Sequence, residues 1–212
     1  MGTAGLWPRG WARVTAMSEP LSREQAWDLF CSWTESESLR RHVLAVEAAM
    51  RAYAAKFGED EDLWGLVGML HDLDYERYPD LETGHPRMAL EELRKQGFSE
   101  EFVRAVASHA DFLEVSRDSP MEKTLFAVDE LSGFIMACAY VRPTGIHGLT
   151  PKSVKKKMKT PAFAAAVNRD ELRHGAEELG VDFDEHVAFV IAALEERSGE
   201  LALDGAEPAP SA

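Results

Sequence analysis

Apolar residues recur along this chain at steps of three and four, the period of helices half-buried against a core. Ser22-Arg-Glu-Gln25 has the spacing of a capping box and opens a helix carrying Trp27, Phe30 and Cys31. The next helix runs from about Glu37 to Phe57, with Leu39, His42, Val46 and Ala49 on one face and Gly58 as its stop. A third begins near Glu61 and carries Leu63, Trp64, Val67 and Leu70 into His71-Asp72. Gly65 and Gly68, within two turns before Asp72, would admit a close neighbouring helix. Tyr75 to Thr83 reads as loop, with Pro79 and Gly84 as breakers. Pro86 suits the first position of a helix that His85-Pro86 opens and Gly97 closes. Ser99-Glu-Glu starts another, ending near His109, and Pro120 opens the longest, about Met121 to Val141. Arg142 to Leu149 reads as a Gly/Pro loop. Thr150-Pro151 and Thr160-Pro161 each read as an N-cap followed by proline. Asn168-Arg-Asp-Glu171 caps a helix to Gly180, and Phe183 to Glu196 forms the last one. No segment alternates like a strand and none repeats, so the expected fold class is all-α.

The 212 residues suit one domain with a substantial core. Net charge is −14, which argues against a general nucleic-acid binder, because phosphate backbones need a broad basic face. It leaves room for a small anionic substrate. Cys31 and Cys138 lie in apolar helical stretches and imply neither a disulfide framework nor a Cys-rich zinc site, so a reducing cytoplasm fits. No stretch is apolar enough to span a membrane. Residues 1–17 read as a flexible extension without a signal-peptide core, and Met17-Ser-Glu-Pro as a plausible start. Residues 199–212 read as a disordered tail.

Chemistry-bearing residues fall at the ends or on the faces of these helices: His42, the pair His71-Asp72, His109 and Asp129. Imidazole and carboxylate together suit first-row divalent cations, and such a set can close one ion or two. Asp129 sits inside Leu125-Phe-Ala-Val-Asp-Glu-Leu-Ser-Gly-Phe-Ile-Met, where a buried carboxylate needs a cation or hydrogen-bond donors. Ser132 and Gly133 follow on its face and leave space for a substrate.

The order His42 … His71-Asp72 … Asp129 on helices resembles the HD-domain superfamily of metal-dependent phosphohydrolases. The likeness covers about Leu39 to Val141, the core of a domain spanning 18–198. A C-terminal helical extension, 150–197, joins it. Leu70-His-Asp-Leu-Asp-Tyr-Glu76 and Pro151-Lys-Ser-Val-Lys-Lys-Lys further resemble a small bacterial subfamily of mostly unassigned substrate. The resemblance implies a helical bundle with a metal between core helices. His42, His71, Asp72 and Asp129 would hold one ion. His85 and His109 match the two extra histidines of binuclear members, in which Asp72 would bridge. The ion would be Mn, Fe, Co, Ni, Zn or Mg. Asp74 and Tyr75 stand where the common His-Asp-Ile-Gly-Lys form has Gly and Lys. That departure counts against a cyclic-dinucleotide phosphodiesterase and against the diiron oxygenases of this fold.

The expected reaction is hydrolysis of a phosphoester of a nucleotide or other small phosphorylated metabolite by metal-activated water. Asp74 or Glu76 would carry a proton. Arg41, Lys123 and Arg142 would hold phosphate oxygens. The run Lys152, Lys155, Lys156, Lys157, Lys159 reads either as a solvated helix face or as a rim for a polyanion. Two rival readings stand beside this one: a diiron oxygenase, and a non-catalytic module that binds metal or nucleotide. Phe134-Ile-Met-Ala-Cys-Ala-Tyr reads as core in preference to a dimer face, and homo-oligomerisation stays open.

Overall fold

The computed structural model describes residues 20–205, so the expected extension at 1–17 and the end of the tail lie outside the described residues. Nine α-helices and no strand occur among them. They are α1 (Arg23–Trp33), α2 (Glu37–Phe57), α3 (Glu61–Leu70), α4 (Arg87–Gln96), α5 (Glu100–Ala107), α6 (Pro120–Tyr140), α7 (Pro151–Met158), α8 (Arg169–Leu179) and α9 (Phe183–Glu195). A short 3-10 turn, Asp111–Leu113, follows α5.

Local chemistry marks most boundaries. Ser22 and Ser119 form complete capping boxes with Gln25 and Glu122. Gly58, Gly97 and Gly180 end α2, α4 and α8 in the left-handed region. Pro86 takes the N-cap position of α4 instead of the first helical one. The helix expected after Thr160-Pro161 does not form, and residues 161–166 are turns. Ala164 adopts φ 42°, and the Arg169 guanidinium takes the carbonyls of Phe163, Ala164 and Val167 that a helix would need.

The two 21-residue helices, α2 and α6, form the spine. On one side α3 packs against α2. Gly68 allows this: a Cβ there would stand 3.1 Å from the Glu47 backbone. On the other side α8 and α9 cover α6, and at Gly175 a Cβ would meet Ala127 Cα at 2.7 Å. Phe30, Val46, Met50, Leu70, Leu125, Leu131 and Phe134 are fully buried between these layers. Phe134, Ile135 and Cys138 belong to this core, and burial pushes the Cys138 thiol up to about 11.

The expected tail begins later than residue 199. Leu201 and Leu203 are buried, and Leu203 O accepts the Ile146 amide at 2.8 Å, so 199–205 docks on the loop after α6. Two leucines spaced to reach one apolar groove outweigh the polar composition around them. Among the described residues no helix is long and apolar enough to cross a membrane.

Candidate metal centre

The spine helices and the end of α3 bring three elements of the constellation together. His42 lies two turns into α2, Asp129 midway along α6, and His71-Asp72 just past the end of α3. His42 Nε2 stands 3.0 Å from Asp129 Oδ1 and 3.9 Å from Asp72 Oδ2. His71 Nε2 stands 3.3 Å from Asp129 Oδ1 and 3.5 Å from Asp72 Oδ2. The other Asp72 oxygen faces a second pair, with Oδ1 3.6 Å from His85 Nε2 and 3.7 Å from His109 Nε2. Two groups of donors thus share Asp72: His42-His71-Asp72 and Asp72-His85-His109.

Backbone and second carboxylates set the tautomers. His71 Nδ1 donates to Gly68 O at 2.8 Å, and His109 Nδ1 to Val106 O at 2.5 Å. His85 Nδ1 donates to Asp74 Oδ1 at 2.8 Å. In each neutral ring Nε2 is then a bare lone pair aimed inward. His71 is fully buried and its Nε2 has no hydrogen-bond partner. His85 and His109 point Nε2 at each other across 3.2 Å with no proton between. Acceptors facing acceptors in a buried place demand positive charge, and imidazoles whose other nitrogen is so anchored are the usual form of a metal ligand. The donor set therefore fits a divalent cation.

The same demand appears in the titration of the groups. Burial pulls the His71 imidazole down, but Asp72 and Asp129 outweigh it and hold it at about 10. Burial, then His71, holds His109 down at about 4. Burial would raise Asp129, but His71 and His42 keep it well below the usual carboxylate range. Glu130, next along α6, is pushed up to about 7 by burial and then by Asp129.

A cavity of about 1010 Å³ opens above the cluster, lined by His42, Asp72, His85, His109 and Asp129. Other residues expected around it are placed differently. Asp74 is fully buried, and its carboxylate is taken by His85 Nδ1 and by the Ala89 amide at 2.8 Å. Both of its oxygens are engaged, and it does not line the cavity where the sequence reading placed a proton carrier. Glu76 lines the cavity, but its oxygens accept the Glu35 and Ser36 amides at the start of α2. Arg41, Lys123 and Arg142 do not line the cavity. Arg41 lies 3.9 Å from Glu37, and Arg142 donates to Thr144 Oγ1 and His147 O within its own loop. Ser132 is fully buried with an unpartnered hydroxyl and also stays outside, whereas a Cβ at Gly133 would stand 3.6 Å from His42 Nδ1. The lysine run is no rim to this cavity: Lys155 pairs with Asp184 at 2.6 Å, and Lys157 covers the Phe163 ring. Sequence reasoning passed over Glu130, Glu171 and Phe112, which do line it. Adjacency to Asp129 was the one signal for Glu130. Glu171 and Phe112 come from distant segments.

Residues 39–133 match the family model of the HD domain. Among curated proteins, a Ribonuclease Y of Rhodopirellula baltica is 27% identical over 129 residues, 61% of this chain and 23% of that protein. A Ribonuclease Y of Oleidesulfovibrio alaskensis is 29% identical over 98 residues, 46% of this chain and 18% of that protein. The chain therefore spans less than a quarter of the length of either relative. No solved structure matches it.

Proposed function

We propose, from its membership of the HD-domain superfamily of metal-dependent phosphohydrolases, that this chain hydrolyses a phosphoester of a small metabolite. The observation that carries the reading is the convergence of anchored imidazole nitrogens on the carboxylates of Asp72 and Asp129 beneath an open cavity. His42, His71, Asp72 and Asp129 would hold one cation, and Asp72, His85 and His109 a second. A divalent ion bound there supplies water activation at neutral pH and charge neutralisation of a phosphoryl oxygen. The chain's own groups do the rest. Gly68 O, Val106 O and Asp74 hold the three rings with Nε2 inward. Glu130, which lines the cavity one residue along α6 from Asp129, is placed to take or return a proton.

The relatives' name belongs to cleavage of RNA, and those matches cover less than a quarter of either protein. A second reading, a diiron oxygenase, is favoured by one observation: Asp72 is shared by two groups of donors, His42-His71-Asp72 and Asp72-His85-His109. Metal analysis of the full chain separates the cases. About two ions per chain, falling to one in His85→Ala and His109→Ala, would establish a binuclear centre. Turnover of phosphoesters with manganese or cobalt supports the hydrolase. Oxygen uptake by the iron form without phosphoester turnover would replace it with the oxygenase.

A further inference from the structure

Part of the cavity wall is apolar. Phe112, Phe126, Met136 and Val167 contribute an apolar lining. Its mouth is apolar too. Tyr75, Leu81, Phe112 and Tyr140 are 45, 49, 44 and 49% exposed and all line this cavity. Only Tyr78 and Val141 are comparably exposed large apolar side chains among the described residues. Single exposed apolar residues need no explanation, but a group of them around one cavity marks a binding surface.

Charge on this wall has one sign. Among the described residues no lysine or arginine lines the cavity, whereas Glu130 and Glu171 do. The arginines nearby are held elsewhere. Arg117 pairs with Asp111 at 2.6 Å and Glu178 at 2.7 Å, Arg87 donates to Leu81 O at 2.6 Å, and Arg77 donates to Ser32 O. Sites that grip several phosphates surround them with guanidinium or ammonium groups. Among the described residues that line the cavity, positive charge would come only with the metal centre. A second phosphate or a phosphodiester chain would lie against carboxylates and aromatic faces.

We infer that the substrate carries a single phosphoryl group, seated at the metal centre, on an apolar body that is neutral or cationic, and that polyphosphates and oligonucleotides are rejected. The inference rests on the hydrolase reading above and names its substrate class.

The test uses the manganese-loaded full chain. Turnover of phenyl phosphate and phosphocholine is compared with that of ATP and a single-stranded oligoribonucleotide. In parallel, benzylphosphonate and a non-hydrolysable ATP analogue are titrated by calorimetry. The expected kcat/KM for the better monoester exceeds that for ATP by about tenfold or more, the ratio that about 1.4 kcal/mol of discrimination produces. Glu171→Lys should narrow the gap by strengthening binding of the ATP analogue. Equal or better turnover of ATP or the oligoribonucleotide overturns the inference and leaves the hydrolase reading standing. If metal binds and no phosphoester turns over, the hydrolase reading fails. The calorimetry then decides alone: tighter benzylphosphonate supports the apolar ligand with one phosphoryl-like group, and an equal or tighter nucleotide analogue overturns it.

Discussion

His186 and His71 are almost free of solvent, at 1% and 0% exposed, but their ring nitrogens meet opposite surroundings. His186, on α9, donates from Nε2 to Ala127 O at 3.0 Å and accepts the Tyr53 hydroxyl at Nδ1 across 2.6 Å. Every hydrogen-bonding position on that ring is used, and it ties α9 and α2 to α6. His71 has one nitrogen satisfied by Gly68 O and the other aimed at two carboxylates without a hydrogen-bond partner of its own, a place that calls for a positive charge. A buried histidine is therefore not a ligand by virtue of burial. What separates fastener from ligand is the count of donors and acceptors around the second nitrogen.

Substitutions should separate the two regions, and the largest effect lies at the shared carboxylate. Asp72→Ala should remove both ions and all turnover while the circular dichroism stays helical. Full metal content in that variant would show that the cluster does not ligate. Asp74→Asn leaves one oxygen where His85 and the Ala89 amide now share two. Loss of such a supporting partner costs about 10–100-fold in metal affinity. The loss should fall on the second ion, so a titration in which both ions weaken equally would contradict the assignment of His85.

At the fastener the readout is stability. Burial, against the Ala127 bond, holds His186 down at about 4 from 6.5. The folded state keeps the ring neutral while the unfolded chain takes a proton below about pH 6.5. Stability is thus full above that value and is lost as pH falls toward 4, by about 2 kcal/mol between pH 7 and pH 5. Urea unfolding of His186→Gln should show a flatter profile in that window than the parent. The smallest effect is expected from Tyr53→Phe, which leaves His186 Nδ1 without a donor. About 1–3 kcal/mol of stability should go, with metal content unchanged. A change in bound metal there would break the distinction between the two histidines.

Much of the site was legible because ligand chemistry is written in residue types. His42 shares a face with Leu39 and Val46, and Asp129 interrupts an apolar helix; both are visible from periodicity. Helix ends were equally plain wherever a cap or a glycine fell beside a period, as at Ser22, Gly58 and Gly180. Thr160-Pro161 shows the limit. Its local signal matches that of Thr150-Pro151, yet Arg169 captures the carbonyls of the first and not of the second.

By itself the sequence determined the all-α class and most of the capped helices, since these follow from side-chain type and helical period, whereas His85 joined the candidate donors only through the family resemblance. Tertiary packing decided what each polar group does. Asp74 reads as a free acid until α4 brings the Ala89 amide to it, and Arg41 and Arg142 read as phosphate clamps until their own loops and helices claim them. Leu201 and Leu203 read as tail until the loop after α6 offers a groove. The apolar, acidic wall of the cavity is assembled from α6, the turn after α5 and the start of α8. Periodicity fixes which face of a helix is buried but not which distant groups it will meet, and the partner of a polar atom is a property of that meeting.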